Sequence, residues 1–177
     1  VDSGVVVNIA DEKYIDIRGT LKVNKGATFN MGVGSHIKTD DSGILDAQGT
    51  ETDSITFIGT SWKNIDINNA GSTIKYAKIL NADGNYVSNE LGTGVELWWD
   101  WILEMKGSSI ENSRISSSIR GVLLESASTM KNSKIHGLAS TAMEVNDNSI
   151  ATGNEIYDVN AFEKENNAVY VRNATFS

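Results

Sequence analysis

Ser108-Ser109-Ile110-Glu111-Asn112-Ser113-Arg114-Ile115, Ser128-Thr129-Met130-Lys131-Asn132-Ser133-Lys134-Ile135 and Ser149-Ile150-Ala151-Thr152-Gly153-Asn154-Glu155-Ile156 are three copies of one octet. Their leading apolar residues, Ile110, Met130 and Ile150, stand twenty positions apart. Between the copies a second element recurs, as Gly121-Val122-Leu123-Leu124, Ala142-Met143-Glu144-Val145 and Ala168-Val169-Tyr170-Val171. Two short strand-like pieces per twenty residues, with no helical run between them, are the mark of a solenoid.

Outward from this core the pattern persists. Val5-Val6-Val7, Tyr14-Ile15-Asp16-Ile17, Leu21-Lys22-Val23 and Ala27-Thr28-Phe29-Asn30-Met31 are short, mostly alternating segments punctuated by Gly19, Gly26, Gly32 and Gly34. Alternation bounded by Gly and Asn reads as strand. Ser72-Thr73-Ile74-Lys75-Tyr76-Ala77-Lys78-Ile79 has the layout of the later octets. An insertion over about 81–107 then interrupts the repeat. It carries a polar loop from Asn81 to Gly92, a strand over Gly94-Val95-Glu96-Leu97, and Trp98-Trp99-Asp100-Trp101, with three of the four tryptophans in four positions.

Composition narrows the functional classes. The 177 residues are 40% apolar and suffice for one buried domain, and no window holds the roughly 18 unbroken apolar residues of a membrane helix. A net charge of −8 disfavours nucleic acid and anionic membrane surfaces, and suits a cation or a neutral polysaccharide. Zero Cys removes disulfides, thiol catalysis and thiolate metal sites. Zero Pro removes the residue that interrupts a strand ladder. Val1-Asp2-Ser3-Gly4 has neither the basic start nor the apolar core of a signal peptide, and the missing initiator Met reads as a processed or trimmed chain.

Physical chemistry selects among solenoids. No regular Leu ladder and no long amphipathic helices are present, which leaves short strands stacked coil on coil at about 4.8 Å. The expected fold is all-β, a right-handed parallel β-helix of about eight coils with one Trp-rich insertion, in a single domain over 1–177. Ile74, Ile79, Ile110, Ile115, Met130, Ile135, Ile150 and Ile156 are expected inside, each stacked on its counterpart. Glu111, Arg114, Lys131, Lys134 and Glu155 are expected outside. Asn112 and Asn132 share a repeat position that suits an inward or turn-lying Asn stack.

Leu21-Lys-Val-Asn-Lys-Gly-Ala-Thr-Phe29, Gly43-Ile-Leu-Asp-Ala-Gln-Gly-Thr50, Ile55-Thr-Phe57, Trp62-Lys-Asn-Ile65 and Ser72–Ile79 together resemble the right-handed parallel β-helix repeat proteins of bacterial surfaces and secretions. The likeness spans about 14–171. It implies a secreted or cell-surface location, and a family that includes polysaccharide lyases, hydrolases, epimerases, adhesins and passive stalks. Such a fold does not by itself assign an activity.

The Trp98-Trp99-Asp100-Trp101 cluster is the leading candidate site. Indole faces stack on sugar rings, and Asp100 or Glu104 offers a carboxylate to hydroxyls; packing of the insertion onto the rod is the plainer role. Asp40, Asp41, Asp46, Asp53, Asp66 and Asp83 fall in expected turns. Asp46 and Asp66, twenty residues apart, are the pair that stacking would bring together for Ca²⁺, the one cofactor left open. Turn formation is the commoner use of such Asp. Lys38, Lys63, Arg114 and Lys131 serve as bases only if neighbours lower their pKa, whereas cross-coil pairing of Lys131 with Glu111 and Arg114 with Glu155 is the simpler use. His36 and His136 accompany no nucleophile elbow and read as surface residues.

The expectation is therefore a non-catalytic extracellular structural or adhesive rod that binds a polysaccharide or cell-surface glycan through Trp98, Trp99, Asp100, Trp101 and Glu104. A polysaccharide lyase or related carbohydrate-active enzyme is the alternative. Ala168-Val169-Tyr170-Val171-Arg172 reads as a strand with little chain beyond it, so a larger parent protein, a cap built by the last residues, or end-to-end association is expected.

Overall fold

The computed structural model describes residues 1–82, 85–88, 96–99, 101–160 and 168–177. Three parallel sheets of seven strands each wrap one interior, and every coil adds one strand to each sheet. The turn of chain from Ser109 to Glu125 shows how the octet does this. Ser109–Glu111 lies in the third sheet, Arg114–Ser118 in the first and Arg120–Glu125 in the second. Alternation turns Ile110 inward and leaves Ser109 and Glu111 half-exposed.

In-register pairing carries each inward residue onto its counterpart. In the first sheet Val7, Phe29, Phe57, Ile79, Ile115, Ile135 and Ile156 form one column. Phe29 and Phe57 stack with centroids 4.9 Å apart. The second sheet contributes Ile15, Ile37, Ile65, Leu103, Val122, Met143 and Val169. The third contributes Val23, Ala47, Ile74, Ile110, Met130, Ala151 and Phe176. Each fully buried Ile, Leu or Phe is worth about 2 kcal/mol, against a few tenths for an exposed ion pair, so these columns set the fold.

Ile150 departs from expectation. It pairs with Thr129 and is exposed, while Ala151 sits on Met130 and is buried. The coil carries one extra residue, so Met130 to its inward successor is 21 positions and not 20. A one-residue slip in a strand sends the side chain to the other face. Ile156 does stack on Ile135 but is only partly buried, in the last described coil.

The corners are as regular as the strands. Tyr76, Asn112, Asn132 and Gly153 all take left-handed backbone conformations. Their N–H groups donate to Glu111, Lys131, Thr152 and Ser177 carbonyls of the following coil. Asn112 and Asn132 are thus turn residues, which tolerate φ > 0 better than most. Two ladders of side-chain oxygens, mostly buried serine hydroxyls, flank the third sheet. Ser72, Ser108, Ser128 and Ser149 accept the backbone N–H groups of Leu45, Ser72, Ser108 and Ser128, at 3.0 to 3.3 Å. Ser113, Ser133 and Asn154 do the same for Ala77, Ser113 and Ser133. Burial of polar groups is thereby matched by hydrogen bonds at every rung.

The described residues form seven coils rather than about eight. The column Val6, Thr28, Thr56, Lys78, Arg114, Lys134, Glu155 shows that a coil takes between 20 and 36 residues. The longest step contains the insertion, which is narrower than 81–107. Ala77–Ala82 belongs to the first sheet and Trp101–Lys106 to the second, leaving the antiparallel hairpin Asn85–Ser88/Glu96–Trp99 outside all three sheets.

Candidate ligand-binding site

The hairpin begins at a built irregularity. Ala77–Leu80 pairs in step with Ile55–Ile58, but register then slips so that Ala82 faces Trp62. Asn81 sits in the bulge at φ 59°. A bulge of this kind bends a strand and redirects the chain. Trp62, fully buried, holds the corner by donating its indole N–H to the Leu80 carbonyl at 2.9 Å.

Beside this bulge lies an open cleft of about 520 Å³ lined by Asp11, Asn30, Met31, Val33, Thr60 and Asn81, together with Ile58, Gly32 and Gly59. Four successive coils supply its polar groups. Asp11 accepts the Val33 N–H at 2.9 Å, and Asn30 donates to Asn8 at 2.8 Å, so both side chains are held in place. Gly59 is required there: a Cβ would stand 2.1 Å from the Met31 carbonyl oxygen. Amides, a hydroxyl and a carboxylate in one cleft suit a ligand rich in hydroxyl groups.

The sequence-derived candidates divide around this corner. Trp98 and Trp99 lie on the second hairpin strand, opposite Tyr86 and Asn85 in register. Asp100 lies outside the described residues. Trp101 opens the second-sheet strand Trp101–Lys106 and is 6% exposed, with the Arg120 guanidinium 5.4 Å from its ring centroid. Glu104 is half-buried on the outer side of that strand, opposite Asp66 and Leu123. Asp11, Asn30, Thr60 and Asn81 were not singled out from the sequence. The available signal was a polar residue near the end of each first-sheet strand.

Other candidates separate. Asp46 lies in the third sheet between Lys22 and Thr73, and Asp66 in the second between Lys38 and Glu104, so stacking does not bring them together. Asp46 accepts from Gln48 at 2.7 Å, whereas Asp66 Oδ1 is buried with no hydrogen-bond partner among the described residues. No group of three or more metal-ligating side chains occurs among the described residues. Glu111 pairs with Lys75 at 3.6 Å and Glu155 with Lys134 at 2.7 Å, so cross-coil pairing is found with partners other than those expected. Neither His is a plain surface residue. His36 stacks on Tyr14 at 4.9 Å, and burial, with Lys63 and Lys38, lowers its pKa. His136 stacks on Tyr157 at 4.8 Å and accepts the Arg114 Nε–H at 2.8 Å.

Three in-register parallel sheets around an apolar interior define a β-solenoid, a class set by architecture and not by activity. Comparison with protein-family models, with curated proteins and with solved structures returned no match.

Proposed function

We propose that this chain is a non-catalytic structural or adhesive module that works outside the cell and binds carbohydrate at the corner where the hairpin leaves the rod. One observation carries the reading: the polar cleft of Asp11, Asn30, Thr60 and Asn81 adjoins the bulge from which the Trp-bearing hairpin departs. In this reading Trp98 and Trp99 supply faces for sugar rings, while Asp100, Glu104 and the cleft amides take hydroxyls. Trp101, buried under Arg120, anchors the base of the hairpin. The rod holds the cleft rigid, since its coils are tied by ladders on every side, and rigidity reduces the ordering cost of binding.

A glycan array read with the wild type, with Trp98→Ala/Trp99→Ala, and with Asn81→Ala tests this. Binding lost in the double variant and weakened about tenfold in Asn81→Ala is the expected result, a loss of about 1.4 kcal/mol. No glycan bound by the wild type, or equal binding by all three, overturns it. Release of unsaturated uronate from an acidic polysaccharide would establish a lyase instead.

A further inference from the structure

At the opposite edge of the first sheet lies a second groove, of about 380 Å³, along the corner where the third sheet turns into the first. Lys78, Arg114 and Lys134 line it from three consecutive coils and stand directly opposite one another in register. All three are exposed. Parallel coils space such groups by about 4.8 Å, a separation at which like charges repel. Of these three cations only Lys134 has an ion-pair partner among the described residues, Glu155, at the end of the column. Arg114 is held by its Nε–H bond to His136, which fixes the guanidinium while its charge stays unmatched.

The third sheet shows what the chain does when only stability is at stake. There Lys22 faces Asp46, and Lys75, Glu111 and Lys131 alternate in sign along one column. In a protein of net charge −8, a row of three cations in register is a local exception. The groove also presents Asn112 and Asn132 amides at the turn and the Tyr76 ring, with Glu51 as the one carboxylate in its lining.

We propose that this groove binds a linear acidic polysaccharide that sets its anionic groups against Lys78, Arg114 and Lys134, about one per coil, with the Asn112 and Asn132 amides taking its hydroxyls. This site lies apart from the hairpin corner and stands whether or not that corner binds sugar. The row is one residue wide, which fits a single flexible chain. A duplex nucleic acid needs a broader basic surface than a protein of this net charge offers.

Titration calorimetry at two salt concentrations tests the assignment with heparin, hyaluronan and neutral dextran as probes. Heparin carries sulfate and carboxylate at high density, and hyaluronan one carboxylate per two sugars. Heparin is expected to bind more tightly than hyaluronan, with dextran silent and affinity falling as salt rises. Lys78→Gln/Arg114→Gln should weaken heparin binding at least about tenfold with unchanged thermal stability, a loss of about 1.4 kcal/mol. Lys22→Gln/Lys75→Gln on the third sheet should leave it unchanged, while Trp98→Ala/Trp99→Ala separates this groove from the hairpin site. Absence of heparin binding, equal binding of heparin and hyaluronan, or equal loss in both lysine-containing double variants overturns the proposal. So does equal binding of polyglutamate or single-stranded DNA, which would make the groove a general anion trap.

Discussion

The third and first sheets run the same length of the rod and bury similar apolar columns, yet their outer faces differ. The third is flanked by both ladders and sets opposite charges side by side, with Lys22 facing Asp46 in register and Lys75 paired with Glu111. The first is bordered by the polar cleft at one edge and the groove of Lys78, Arg114 and Lys134 at the other. One sheet satisfies its own polar groups coil by coil. The other leaves Lys78 and Arg114 without an ion-pair partner among the described residues, which is what a surface built for a partner requires. On this reading the third sheet sets the register of the rod and the first presents its chemistry.

The most damaging way to break the third sheet is through its interior column. Ile110→Ala should lower the unfolding free energy by about 3 kcal/mol, because a fully buried Ile leaves a cavity between Ile74 and Met130. Ile150→Ala, on the outer face, should cost less than about 1 kcal/mol. Urea denaturation of the two variants reads the difference, and equal losses would place Ile150 inside.

The serine ladder comes next. Ser128 Oγ, fully buried, accepts the Ser108 N–H, and its single proton is shared between the Glu125 carbonyl at 2.7 Å and the Met105 carbonyl at 2.9 Å. Ser128→Ala strands that N–H and should cost about 2 kcal/mol, where Ser109→Ala on the outer face of the same sheet should be near neutral. A smaller, opposite effect is expected one position earlier. Ala127 stands at φ 62° in a turn that Gly adopts without strain. Ala127→Gly should therefore stabilise by about 1 kcal/mol, seen as a higher melting temperature.

How much of this could be read from the chain follows from the same contrast. The octets of 108–156 were legible because the third sheet repeats every residue role: inward Ile110 and Met130, left-handed Asn112 and Asn132, paired charges outside. The slip at Ile150 arose because Ile150 and Ala151 are both apolar, and only the 21-residue step tells which one faces in. The number of coils was overestimated because steps of up to 36 residues hide behind a 20-residue period. The cleft was not legible, since Asp11, Asn30, Thr60 and Asn81 come from four coils and meet only through stacking. The basic groove was visible only in pieces, because Arg114 was matched to Glu155 two coils away when its neighbour in register is Lys134.

The least disruptive probe of the contrast is pH. The first sheet carries His136 on its outer face, and the third sheet carries no histidine. Burial first, and then the positive charge of Arg114, lowers the His136 pKa below its ordinary 6.5, with Asp158 opposing. The bond from Arg114 Nε–H also needs the neutral imidazole as acceptor. A histidine whose folded pKa is depressed takes up more protons in the unfolded chain between the two values. Its stabilising contribution is therefore complete above the unfolded pKa and is lost as pH falls through the lowered folded value. His36 acts in the same sense. The melting temperature should fall on going from neutral pH to about pH 5, modestly, because His136 is largely solvated. His136→Gln keeps an acceptor for Arg114 and removes the titration, so it should flatten the first-sheet part of that decline. An undiminished decline in His136→Gln would assign the pH response to His36 on the second sheet, and the column of Lys78, Arg114 and Lys134 would then be held independently of its histidine.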